Sequence, residues 1–103
     1  MTPETLALKK ATMEMIRGVG GLEAAAGFCR VGKSVLCDNQ SVNKPESFVA
    51  LDVIADLEPL ARERSGWPHV TRALARSMGF ELVRLPTVEA SGAALHWILS
   101  QHA

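Results

Sequence analysis

The chain has 103 residues and a mass of 11.1 kDa, with eleven Lys and Arg against eleven Asp and Glu, and 48% of its residues are hydrophobic. Surface scaling for this mass gives roughly 5,700 Å² folded against roughly 16,000 Å² unfolded, which is one modest core and no room for two domains. A net charge of zero excludes nucleic-acid binding through a polybasic tail, and no block of like charge suggests disorder, so any affinity for DNA has to come from local charge.

No apolar stretch approaches the length of a membrane span, and Met1-Thr2-Pro3-Glu4 lacks the basic-then-apolar pattern of a signal peptide. The expected location is therefore the cytoplasm, without membrane association. Cys29 and Cys37, in a reducing compartment, read as two small buried side chains. Neither has a nearby His, and His69, His96 and His102 are scattered, so no metal site is expected.

The first predicted helix starts at Thr2-Pro3-Glu4, with a hydroxyl at the N-cap, proline at the first helical position and an acid near the positive end of the dipole. Leu6, Met13 and Ile16 sketch its apolar stripe, which ends at Gly18, and Val19-Gly20-Gly21 reads as a flexible break. A second helix is expected over Leu22 to Cys29, and a third over Lys33 to Gln40, short enough to depend on packing through Val35 and Leu36. Residues 41–47 are polar, contain Pro45 and read as a loop.

Ala50, Val53, Ile54, Leu57, Leu60 and Ala61 then recur at three- and four-residue intervals, the clearest helical period in the chain. Pro59 inside this pattern should kink or restart the helix, and Ser65-Gly66-Trp67 should end it. A fifth helix is expected from Pro68 through Val70, Ala73, Leu74 and Met78, closed by Gly79. Phe80 to Pro86 has the only strand-like composition, so it either pairs with a second subunit or serves as an extended connector. Thr87 opens a last amphipathic segment with Val88, Gly92, Leu95, Ile98 and Leu99 on one face. The fold class is all-α, a small helical domain of about five helices with one short extended segment near 80–85; residues 1–86 form the helix-turn-helix domain and 87–103 a C-terminal helix that is a candidate for oligomerisation.

Catalytic chemistry finds little support. His69 has no Ser or Cys nucleophile beside it in sequence and reads as an exposed first-turn residue. Asp52, Asp56, Glu58 and Glu63 read as the solvated face of the long helix. Gly18, Gly20 and Gly21 follow no strand and match no phosphate-loop spacing. Neither an enzyme nor a cofactor is expected.

The informative stretch is Leu22 to Gln40. A helix-turn-helix needs a small residue where its first helix presses on the second, a tight turn about four residues later, and apolar residues that lock the crossing. Ala26, Arg30, Val31 and Leu36 stand at those offsets, supported by Ala25 and Cys29. Glycine is usual at the turn because the backbone there is left-handed, and Arg30 would adopt that conformation at some cost. Two packed helices with no DNA-reading role would satisfy the same offsets.

Several pieces of this order resemble the phage regulatory protein CII type of helix-turn-helix domain, within the larger group of Cro- and repressor-like folds. They are Gly20-Gly21-Leu22-Glu23-Ala24-Ala25-Ala26, Gly32-Lys33-Ser34-Val35-Leu36, Asp38-Asn39-Gln40 with Asn43 and Pro45, the run Phe48 to Glu58, Ala73-Leu74-Ala75, and Gly79 to Val83. The likeness covers about residues 5 to 86. It departs from the pattern at Arg30, where glycine is usual, and at Asn39, where an apolar residue commonly closes the unit.

The resemblance implies a transcriptional regulator of phage or phage-derived origin, bound to double-stranded DNA as a dimer or higher oligomer and associated with the bacterial nucleoid. Lys33, Ser34, Cys37, Asp38, Gln40 and Ser41 would then face base edges. Lys33 suits guanine O6 or N7, Gln40 adenine, and Asp38 the cytosine amino group. Arg30, Lys44, Arg17, Lys9 and Lys10 would contact phosphates and set register. The alternative is a small helical adaptor that binds RNA polymerase or another regulator, with little DNA affinity of its own. Charge is unevenly distributed in a way that fits the first reading: residues 1–44 carry six basic and four acidic groups, residues 45–64 two and five.

Overall fold

The computed structural model describes residues 2–65 and 68–85. Five helices, and no strand, occur among them: α1 (Pro3–Val19), α2 (Leu22–Ala26), α3 (Lys33–Gln40), α4 (Leu51–Ser65) and α5 (His69–Ser77). The chain is all-α, as its periodicity predicts. The C-terminal helix expected beyond residue 86 lies outside the described residues, as do Gly66 and Trp67.

α1 is the central element, packing against each of the other four helices. Its buried face is Lys9, Thr12, Met15, Ile16 and Val19. This face is rotated from the expected stripe: Leu6 is exposed, and a lysine and a threonine occupy the buried line instead. Thr12 is satisfied locally, its hydroxyl donating to the Leu8 carbonyl at 2.7 Å. The core is completed by Ala25, Leu36, Val53, Leu57, Ala61 and Val70, so every helix contributes at least one side chain.

The break after α1 is a defined cap. Gly20 takes a left-handed conformation (φ 119°), its N–H donates to the Arg17 carbonyl, and the Gly21 N–H donates to that of Ile16. This is a glycine-dependent closure that satisfies carbonyls the helix end would leave open. Two residues earlier, Gly18 lies against α4 so closely that a Cβ there would stand 3.0 Å from the Cβ of Ala61.

α4 continues through Pro59 as one helix, so the restart expected as an alternative to a kink does not occur. Its residue Glu58, expected on the solvated face, is buried and accepts hydrogen bonds from the N–H groups of Val70 (3.1 Å) and Thr71 (2.6 Å) at the start of α5. The reason is that Pro68, at the N-cap of α5, has no side-chain acceptor of its own. Residues 80–85 form neither helix nor strand. Phe80 and Val83 are exposed, and Glu81 folds back onto Arg72 and Arg76, whose guanidinium groups hold its carboxyl below the usual carboxylate range.

Candidate nucleic-acid interface

α2 ends at Ala26, three residues earlier than the sequence suggests. Gly27 and Phe28 donate backward over three residues, to Ala24 and Ala25, which tightens and stops the helix. Residues 27–32 therefore form a longer connection than the tight turn expected. Arg30 does not pay the left-handed cost, because among the described residues only Gly20, Gly21 and Gly79 have positive φ. Cys29 stabilises the connection, its Sγ lying 3.4 Å from the Ala25 carbonyl oxygen and 3.6 Å from that of Val31.

α3 begins after Gly32 in extended backbone and packs on α1 and α2. Only Leu36 and Asn39 are buried. Lys33, Ser34, Val35 and Cys37 are exposed, while Asp38, Gln40 and Ser41 are half-buried. Val35, expected to face inward, is turned out, because an eight-residue helix resting on one line of neighbours can bury only positions three or four apart. Cys37, expected in the core, is likewise exposed, and both cysteines are free thiols.

The expected base-facing set therefore divides. Lys33, Ser34 and Cys37 share the outer surface of α3. Gln40 and Ser41 sit at its end, where the Ser41 hydroxyl accepts from the Asn43 N–H at 3.1 Å and starts the following loop. Asp38 is partly shielded, with its carbonyl oxygen engaged by the Ser41 N–H and by Lys9.

The expected phosphate-facing cations divide further. Lys10 and Lys44 are exposed and take part in no ion pair among the described residues. Arg17 is exposed and pairs weakly with Glu14 at 3.5 Å. Arg30 reaches Asp52 on α4 with two hydrogen bonds, 2.5 Å from Nε and 3.0 Å from Nη2. That contact lowers the Asp52 pKa and raises that of Arg30. Lys33 pairs with Glu23 of α2 at 3.2 Å. These pairs are solvent-exposed, so each can be exchanged for a phosphate or base at small cost.

Lys9 departs from its expected role. It is fully buried, and its Nζ donates to the carbonyl oxygens of Asp38 (3.1 Å), Asn39 (3.0 Å) and Ser47, with the Phe48 ring centroid 4.6 Å away. Burial pushes its pKa down, and the Asp38 charge opposes that shift. A cation held inside by three carbonyls cannot also touch a DNA backbone, so Lys9 leaves the phosphate set. Beside it, Asn39 donates from Nδ2 to the Ser47 hydroxyl at 3.0 Å. An amide stands where the unit commonly closes on an apolar side chain, and it finds its partner in the loop.

Among the described residues, no three His, Cys, Asp or Glu side chains are grouped to hold a metal ion, and no helix is long and apolar enough to cross a membrane. His69 lies half-buried at the start of α5, lining a shallow cleft with Ala11, Arg72, Ala73 and Arg76. No protein family, curated protein or solved structure was found to match the chain.

Proposed function

We propose that this protein is a sequence-specific, DNA-binding transcriptional regulator of phage or phage-derived type, reading the major groove with the outer face of α3. The observation that carries the reading is the exposure of Lys33, Ser34 and Cys37 on a short helix that is docked through Leu36 and Asn39 alone. An exposed helix bearing donors and small polar groups fits the width of the groove. Lys10, Lys44 and Arg17 supply phosphate contacts, Arg30 joins them by leaving Asp52, and Lys33 turns to a base edge by leaving Glu23. With a net charge of zero, non-specific affinity is weak, and binding relies on a dimer or higher oligomer, adjacent sites or a partner.

The test is a pair of substitutions, Lys33→Ala and Ser34→Ala, measured by fluorescence anisotropy on a duplex enriched by the wild-type protein from a random-sequence library. Loss of a good base contact weakens binding by about 1–3 kcal/mol. Unchanged affinity in a folded double variant refutes the assignment.

A second reading is favoured by one observation: Met78, Phe80 and Val83, following α5 in sequence, are all exposed. An adaptor docking RNA polymerase or another regulator would use such a surface. Binding to random-sequence DNA discriminates the two, since a DNA reader shows a steep dependence of log affinity on log salt and an adaptor shows none.

A further inference from the structure

α3 is too short to persist by its own hydrogen bonds and buries only two side chains. Its last carbonyls also lack the closure that α1 obtains from glycine. Ser41, at the C-cap, is in extended backbone, and its N–H serves only Asp38. Two of the carbonyls at this end meet the Lys9 ammonium, which arrives from α1 and bonds to Asp38 and Asn39 at the end of α3 and to Ser47 in the loop beyond. A positive charge at a helix C-terminus also complements the helix dipole. The three carbonyls belong to two segments, so one ammonium fixes α3, its following loop and α1 together.

We propose that Lys9 is the positioning residue for α3: its buried ammonium locks the C-terminal end of that helix to α1 and so fixes the orientation in which Lys33, Ser34 and Cys37 are presented, without itself touching DNA. The inference rests on the DNA-reading role proposed for α3. Its structural half does not need that role. Lys9→Met keeps an unbranched apolar stem but removes the ammonium, leaving the Asp38 carbonyl with the Ser41 N–H alone and those of Asn39 and Ser47 without their Lys9 donor. α3 then populates undocked conformations, and apparent affinity falls in proportion to the docked fraction. Lys9→Arg restores charge and donors.

The experiment joins amide hydrogen exchange by NMR to DNA binding, using the full chain. In Lys9→Met, exchange of the Leu36 to Gln40 amides accelerates at least tenfold more than that of Met15, Ile16 and Leu57. Lys9→Arg recovers most of the protection. On the library-enriched duplex, Lys9→Met binds about tenfold more weakly if the docked fraction falls to about one-tenth. Its salt slope stays that of the wild type, whereas Lys10→Met, which removes a surface cation, lowers the slope by about one.

Unaltered α3 protection in Lys9→Met overturns the proposal, and so does a salt slope reduced by about one in that variant, which would make Lys9 a phosphate contact. Should Lys9→Met not fold, the wild-type protein decides. α3 amides that open together with those around Lys9 as denaturant is raised support the lock, and α3 amides that exchange freely while α1 stays protected overturn it. If library enrichment gives no preferred duplex while Lys9→Met still loosens α3, the DNA reading fails and the lock stands.

Discussion

The C-terminal ends of α1 and α3 solve one problem in opposite ways. α1 closes on itself: Gly20 and Gly21 turn the backbone so that two N–H groups meet the carbonyls of Arg17 and Ile16. α3 has no such glycine and is closed by a side chain about thirty residues upstream, Lys9. The N-terminus of α5 follows the second solution, borrowing the Glu58 carboxylate of α4 because Pro68 offers none. A locally closed end forms whenever its helix forms. A remotely closed one forms only when the tertiary structure does, which makes α3 and α5 dependent on α1 and α4.

This contrast can be broken at its strongest point first. Glu58→Ala deprives the Val70 and Thr71 N–H groups of their acceptor, one of them buried, and should cost about 1–3 kcal/mol in urea denaturation. Loss of protection should be concentrated in α5. The local closure is expected to be worth less. Gly20→Ala places a Cβ on a left-handed residue and should cost about 1–2 kcal/mol, lowering the denaturation midpoint as one cooperative transition without selective loosening of α3 or α5.

The smallest effect belongs to the surface. Arg30→Gln releases Asp52, whose titration by NMR should return upward to the ordinary carboxylate range. Because the folded pKa of Asp52 is depressed, its contribution to stability is present above the unfolded value and is lost as pH falls through the folded one. Wild type and Arg30→Gln should therefore converge in stability in acid, below the carboxylate range, and differ only above it.

Much of the fold is legible in the sequence because helices announce themselves through local rules. Thr2 and Pro3 start α1, and its side chain accepts from the Thr5 N–H as an N-cap should. The three-and-four spacing from Val53 to Ala61 gives the buried face of α4. The early stop of α2 at Gly27 is less legible, since a helix end depends on a competition between backbone bonds of similar strength. Of the candidate interface, the outward placement of Lys33 and Ser34 follows from the spacing around Leu36.

The buried polar residues are harder to read, because Lys9 and Glu58 look like surface residues until their partners arrive from elsewhere in the chain, and Asn39 is marked only by standing where an apolar residue is usual. One signal was available. Counting back from Val19 and Ile16 in steps of three and four reaches Thr12 and then Lys9, so the buried line of α1 can be continued through residues whose polarity hides it.

The approach of Gly18 to Ala61 sets a joint rule for two positions 43 apart in the chain. An added Cβ at position 18 would stand 3.0 Å from the Ala61 methyl and 3.3 Å from its Cα, so two methyl groups fit there only if the helices give by a few tenths of an ångström. Substitution at one position is thereby constrained by the residue at the other: alanine at 18 calls for glycine at 61, and two alanines push α1 and α4 apart. Among descendants of this chain, the two positions should drift as a reciprocal pair.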